Sequence, residues 1–558
     1  MTSKIGLLFL LGLFLFTACQ KKHDNLVVTP LVDILTIQSS QLNNVSIGNS
    51  ESQIDISAKP IFTIKCSNAI DKNTAAKSIQ ITETSGAFAS INLSYLNHDS
   101  VIVITPSNNL KYLTKYNLSI TTQLNSIKGG LLNSDFQFQF QTSLDSNDKF
   151  TRISDDALLD TIQKRTFAYF WDFAHPVSGL ARERNTSGDI VTSGGSGFGL
   201  MAIPIAVNRN FITKAQGLER SKKVVSFLLN TAQKFHGAFP HWINGVTGNV
   251  IPFSIKDNGA DLVETSYLMA GLLTLRQYFS SNSLDEIALR NDINTLWDGV
   301  EWSWFRKANE NLLYWHWSPN YSWEMNLPIK GWNECLITYV LAAASNTSAI
   351  PKLVYQNGFA SGVGYKNGNS FYNLTLPLGP SLGGPLFFSH YSFLGINPNG
   401  LSDDNNINYQ TQVVNHTLIN YNYCIQNPKK FYGYSDATWG LTASDVPNGY
   451  AASSPTNDIG VIAPTAAISS LPYTPDKSLK ALRFYYYTLG DKLFKEYGFI
   501  DAFSLQQLWF SNTTLAIDQG PIIIMIENYR TKLIWDLFTS SPEIKRGLVQ
   551  LGFNAPYL

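Results

Sequence analysis

The sequence predicts a two-part protein, an N-terminal Ig-like β-sandwich followed by an all-α (α/α)6 toroid. Three observations carry that expectation. Between residues 31 and 144, apolar and polar side chains alternate in short runs broken by Asn, Gly and Ser, which is the period of strands. From 150 to 558 the period lengthens to that of helices. Within this second part, six largely apolar stretches each begin at a polar turn, most of them marked by Gly or Pro, about 50 to 80 residues apart.

A length of 558 residues leaves room for several domains, and 44% hydrophobic residues supply a sizeable core. The 41 basic and 41 acidic side chains balance, which argues against a nucleic-acid partner or a polyanionic substrate. With 12 Trp and 26 Tyr the chain is rich in flat apolar faces that carry a polar edge, surfaces suited to sugar rings.

At the start of the chain, Lys4 precedes an apolar run from Ile5 to Phe16, too short to span a bilayer and of the length of a secretory signal. Phe16-Thr17-Ala18-Cys19 resembles a bacterial lipoprotein box, with Phe where that motif usually has Leu. The resemblance implies removal of 1–18, acylation of Cys19, and a tether over 19–30. The protein would then be held by lipid to the envelope of a Gram-negative bacterium, facing either periplasm or exterior. An ordinary signal peptide cut nearby is the alternative. Cys66, Cys335 and Cys424 are an odd, scattered set without metal-site spacing, so no disulfide framework is expected, and Cys335 and Cys424 read as buried thiols.

In the first part, 60–66, 78–82, 100–104, 116–120 and 136–140 read as strands, the last as Phe136-Gln137-Phe138-Gln139-Phe140. Short strands with turn residues between them predict the sandwich. The 114–120 strand and the Gly129-Gly130 turn before the closing strand resemble bacterial Ig-like domains of surface proteins. Asp145 to Asp148 marks the boundary. Beyond it, amphipathic helices are expected at about 154–173, 215–235, 283–305 and 477–496. The apolar helices between them are expected over 198–207, 262–275, 335–344, 413–425, 459–468 and 522–526. Buried helices alternating with exposed ones make a toroid, and its inner helices all start at one end. The loops before them would line one cleft.

Asp261 and Glu264 sit three apart at the first turn of an apolar helix, so both leave one face. A carboxylate pair at the mouth of a buried helix suits acid/base chemistry, and a capped helix start is the plainer reading. Glu183 lies between Arg182 and Arg184, where ion pairing explains it as well as function does. Asp445 is too far from a helix start to be a cap. His241-Trp242, Trp315-His316-Trp317 and Trp323 lie in loops beside these starts, and seven of the 12 tryptophans fall between 297 and 332. Glu527, embedded in apolar residues, needs a partner, for which Arg530 is the local choice.

Four motif blocks (Asp261-Leu262-Val263-Glu264-Thr265, Trp332-Asn333-Glu334-Cys335, Trp439 to Asp445, and Asp518-Gln519-Gly520-Pro521), with Pro464-Thr465-Ala466-Ala467 and Ile526-Glu527-Asn528-Tyr529-Arg530, resemble the bacterial glucoamylase-like (glycoamylase) family. The resemblance covers roughly 150 to 555. It implies an (α/α)6 glycoside hydrolase, often a lipoprotein with an Ig-like module in front, in a family that includes endo-β-1,2-glucanases. Hydrolysis needs one protonated and one ionised carboxyl. Glu264, buried beside Asp261, is expected to be the acid, and Asp445, with Glu183 second, the base; toroids of this kind usually invert, placing the carboxyls about 6.5–9.5 Å apart. The candidate sugar-binding set is Asp261, His241, Trp242, Trp315, Trp317, Glu334, His390, Tyr391, Trp439, Asp518, Gln519 and Glu527. No metal or cofactor is required; Asp403-Asp404-Asn405-Asn406 reads as a solvated loop rather than a calcium site. The expected partner is a β-glucan or derived oligosaccharide, β-1,2-linked by preference, and the expected state a monomer. A non-catalytic glycan-binding surface lipoprotein is the alternative; a lyase would want a basic cleft, which the charge balance disfavours.

Overall fold

The computed structural model describes residues 33–558, so the signal peptide, Cys19 and the tether expected from the sequence lie outside the described residues. Two compact units divide after Ser143. The first holds ten strands: β1 (Ile37–Leu42), β2 (Val45–Ser46), β3 (Glu51–Ile56), β4 (Phe62–Cys66), β5 (Ile79–Glu83), β6 (Phe88–Ala89), β7 (Ile91–Leu96), β8 (Val101–Pro106), β9 (Lys115–Ile120) and β10 (Phe136–Thr142). They form two five-stranded sheets, in the orders β2-β1-β4-β8-β7 and β3-β10-β9-β5-β6. Pairing is antiparallel except between β3 and β10. In β10 the phenylalanines are buried and Gln137 and Gln139 exposed, the period-2 pattern of a sheet with one wet face. In its core Phe62 meets Phe138 edge-on and Phe140 at a tilt, and Phe138 and Phe140 stack, with centroids 5.4 to 6.5 Å apart.

The second unit is helical. The expected apolar helices appear as α1 (Ser193–Asn208), α2 (Leu262–Tyr278), α3 (Leu336–Ala344), α4 (Tyr409–Gln426), α5 (Pro464–Ile468) and α6 (Ala516–Arg530). In α2 every residue from Leu262 to Arg276 is buried. Helix α4 departs from expectation, since only one of its faces is buried. Helix α5 is shorter than expected because Pro464 takes its first turn and holds the residues before it extended. Amphipathic helices Asp155–Trp171, Lys214–Asn230 and Leu284–Asp298 match their predicted places. The fourth breaks up: Pro475–Arg483 passes into a wide turn over Phe484–Thr488 before Gly490–Leu493. Among the described residues no helix is long and apolar enough to cross a membrane, and Cys66, Cys335 and Cys424 are free and buried.

Helix α6 packs on α1, α1 on α2, and α2 on α3, while α5 packs on α6. The α1–α2 crossing is close because it is built on glycine. A Cβ on Gly197 would come 2.1 Å from the Tyr267 carbonyl oxygen, and one on Gly271 would come 2.2 Å from that of Gly197. Both obstacles are backbone, so neither can yield without parting the helices. Gly271→Ala is therefore expected to destabilise the protein by about 3 kcal/mol, the upper end for overpacking, measurable by urea denaturation. Unchanged stability would show that the contact can open freely.

Candidate active site

The starts of α1, α2 and α6 meet. A Cβ on Gly194 would lie 2.4 Å from Glu264 Oε2, and one on Gly195 would lie 2.6 Å from the Ala516 Cβ. The run Ser193-Gly194-Gly195-Ser196 is thus needed for close approach, and acidic groups flank it on both sides.

On the α2 side, Asp261 is the N-cap. Its Oδ1 accepts from the backbone amides of Val263 (3.0 Å) and Glu264 (2.9 Å). Its Oδ2 lies 3.1 Å from His241 Nδ1 and 3.5 Å from His316 Nε2, which is also 3.3 Å from Asp257. His316 reaches it because the strand Ala260–Asp261 pairs with His316–Trp317, Asp261 opposite His316. Burial by itself would raise the Asp261 pKa, but the two imidazoles hold it far below the usual carboxylate range. Burial would lower that of His241, and the surrounding Glu264, Asp261 and Asp257 instead raise it to about 9. Asp257 is pushed up to about 6 by burial and by Asp261. His241 thus carries its proton against Asp261 at neutral pH, and, against its burial, the hydrogen bond and charge of Asp261, with Asp257, raise His316 as well. His241, Asp257 and Asp261 bring ligand-type atoms within 4.8 Å of one another, and a metal there would have to displace that proton.

Glu264 is buried, its Oε2 accepting from the Gly194 amide (2.8 Å) and from the Thr192 hydroxyl (3.3 Å), with its pKa raised chiefly by burial. Glu334 is different. It is half-buried just before α3, and no other side chain among the described residues hydrogen-bonds its carboxyl. Burial, with the nearby Glu264 and Asp261, raises it to about 7. A carboxyl raised in this way can hold a transferable proton near neutral pH.

On the α6 side, Arg184 clamps two carboxylates: Nε and NH2 hold Glu183 at 2.8 to 3.1 Å, and NH1 lies 3.1 Å from both oxygens of Asp445. Ser187 also donates to Glu183, and the Thr513 hydroxyl to Asp445. Asp445 sits on the hairpin formed by Ala443–Val446 and Gly449–Ala452. With Arg184, Tyr450, Trp509 and neighbouring residues it lines a cavity of about 660 Å³. Beneath it lie Asp501 and Asp518, both almost wholly buried. Tyr391 stands between the two groups. Burial raises its hydroxyl's pKa, and so do Asp518, Glu334 and Glu264, so carboxylates of both sides bear on one phenol.

Two short connections tie the sides together. The 181–183 segment pairs with Ile190–Thr192, the Glu183 amide donating to the Ile190 carbonyl and the Thr192 amide to that of Ala181. The Ala516 amide in turn donates to the Glu183 carbonyl. Sugar-stacking candidates flank the α2 side. Trp242 is half-buried, its ring 4.8 Å from that of Phe253, and its indole N–H has no protein partner. Trp315 lies nearly parallel to His316.

Five expected sugar contacts are placed elsewhere. Glu527 is at the far end of α6, paired with Arg209 at 2.8 and 2.9 Å rather than with Arg530, which bonds Asp160 and Gln163. His390 is 2% exposed, hydrogen-bonded to Ser470, and burial lowers its pKa to about 3. Trp439 is fully buried and its backbone is held by the Tyr485 hydroxyl. Gln519 is buried and donates to the Phe499 carbonyl. Trp317 packs into an aromatic cluster with His236 and Trp304. Glu527, His390 and the Gln519 amide nitrogen thus have internal partners, and the rings of Trp439 and Trp317 are taken up in packing. The Asp403 carboxylate is likewise satisfied, by the amides of Asn405 and Ile407 and the hydroxyl of Tyr409. Sequence reasoning passed over Asp257, His316, Arg184 and Asp501 as site residues. The available signals were the four-residue step from Asp257 to Asp261 and a lone acid in the apolar run Phe499 to Phe503.

The family model described as "Putative glucoamylase" (Glycoamylase) matches residues 326–542, and that of the bacterial Ig-like domain matches 39–142. An exo beta-1,2-glucooligosaccharide sophorohydrolase (non-reducing end) of Parabacteroides distasonis is 45% identical over 422 residues, 72% of this chain. The aligned region spans 58% of that curated relative's length. The solved structure of an endo-beta-1,2-glucanase from Chitinophaga pinensis, complexed with sophorotriose and glucose, is 51% identical, covers 73% of this chain and 100% of its own, and superposes with a TM-score of 0.71. A beta-1,2-glucanase from Parabacteroides distasonis is 36% identical, covering 93% of this chain and 74% of its own, with a TM-score of 0.70.

Proposed function

The chain belongs to the bacterial glucoamylase-like (glycoamylase) family, and from that premise we propose that it is a glycoside hydrolase acting on β-1,2-glucan or its oligosaccharides. The observation that carries the reading is a carboxyl pushed up to about 7, Glu334, in the same site as an Arg184-clamped one, Asp445, with Tyr391 close to carboxylates of both groups. Glu334 protonates the leaving glycosidic oxygen. Asp445 takes a proton from the attacking water, with Glu183 as the second choice for that role. The products invert. Glu264, first choice for the acid by sequence, holds an amide and a hydroxyl and serves instead to keep Glu334 protonated. The His241 imidazole, held by Asp261, binds a sugar hydroxyl, and Trp242 and Trp315 stack on the rings.

In this reading the six helices close as an (α/α)6 toroid with their starts around the cleft, supported by the packing of α5, α6, α1, α2 and α3 in sequence. Cys19, by its likeness to a lipoprotein box, carries the acyl chains that hold a monomer to the cell envelope. The test is incubation of the full chain with β-1,2-glucan and sophorooligosaccharides, beside β-1,3-glucan and starch. Release of sophorose or longer fragments from the β-1,2-linked substrates alone is expected. Binding without release would replace the enzyme with a glycan-binding surface protein.

A further inference from the structure

Under the cleft floor, Asp501 Oδ2 accepts the backbone amide of Asp445 at 2.6 Å. Its other oxygen, Oδ1, is buried and receives no donor from the protein, and Asp518 Oδ2 is in the same condition. The two carboxyls are within hydrogen-bonding reach of one another, and their side chains are 1% and 2% exposed. Two ionised carboxylates cannot share such a space, and two neutral acids would bring two protons to the one contact between the orphaned oxygens, which takes a single proton. One proton between the orphaned oxygens satisfies both. The other groups facing the pair are Asp445 and Arg184, with the hydroxyls of Tyr391 and Tyr450 on the Asp518 side.

We propose that Asp501 and Asp518 hold a single shared proton, and that Asp501, through the Asp445 amide, is a positioning residue for the base. This rests on the hydrolase reading for its second half only. The pair carries one negative charge in total. Asp501→Asn or Asp518→Asn alone keeps that charge, because the amide can donate to the remaining carboxylate, whereas the double variant removes it.

The acid limb of kcat/KM on β-1,2-glucan, which reports the base, is therefore expected to stay in place in each single variant. In D501N/D518N it moves to lower pH by on the order of one unit. A shift in either single variant, or none in the double, overturns the proposal. Asp501→Ala, which strips the acceptor from the Asp445 amide, should lower kcat at least tenfold with KM within about twofold, and D501N should restore most of it. Equal loss in both variants would reduce Asp501 to a structural part. The shared proton has a readout independent of turnover, a protonated-carboxyl stretch in the infrared difference between wild type and D501N at neutral pH. If wild type fails to cleave glucan while that band is present, the hydrolase reading alone falls. If the band is absent, the pair falls.

Discussion

Glu334→Gln is expected to lower kcat on β-1,2-glucan by about 10³-fold, within the range a positioned general acid contributes. An amide keeps the shape but has no proton to give. Three features separate this from mere damage. First, a sophoroside with an acidic phenol as leaving group should lose far less, because it departs without protonation. Second, the wild-type activity should fall as pH rises through about 7, since the carboxyl must be protonated to act and burial beside Glu264 and Asp261 raises it to about 7; the variant should lack that limb. Third, substrate affinity should change little. If Glu264→Gln, and not E334Q, shows the leaving-group dependence, the acid is Glu264 and the sequence-based assignment stands.

Arg209→Met should cost about 3–5 kcal/mol of stability, because it leaves a buried carboxylate uncompensated. Glu527 is 1% exposed and accepts from Arg209 Nε and NH2, from Gln163 and from Thr531. Burial would raise its pKa, but these donors together lower it. A carboxylate with a depressed folded-state pKa contributes stability that is present above its unfolded pKa and lost as pH falls through the folded one. Wild type should therefore weaken on acidification below about pH 4, and the variant should show less of that dependence. Urea titrations of R209M and of R209M/E527M measure it. The double variant, with no stranded charge, should recover much of the loss; if it does not, packing rather than charge is responsible.

How much of this was legible beforehand depends on the range of the forces involved. The alternation in Phe136–Thr142 and the unbroken apolar run after Asp261 are local patterns, and the strand and helix they predict are present. The glycines before α1 announced a close approach, which proved to be with Glu264 and Ala516. Local reasoning failed where partners are remote. Glu527 was given Arg530, three residues on, because Arg209 stands 318 positions away. Glu334 was read as a sugar contact, since its raised pKa depends on Glu264 and Asp261, which only folding brings near. His390 and Trp439 sit in motif-like, glycine-marked stretches that resemble loops, and their burial follows from tertiary packing. Helix α4, one-sided rather than buried all round, shows that apolar content alone does not report how many neighbours a helix has.

The short ribbon from Ala181 to Gly194 holds one acid at each end: its backbone carries Glu183 and Arg184, and Thr192 and Gly194 grip Glu264. It behaves as a calliper. Lengthening the bend at Ser187-Gly188 would leave the jaws alone, whereas slipping the two arms by a residue would turn every side chain on one of them to the opposite face. In that case the Arg184 grip on Asp445 or the Gly194 grip on Glu264 would be lost although Asp445 and Glu264 themselves were unaltered.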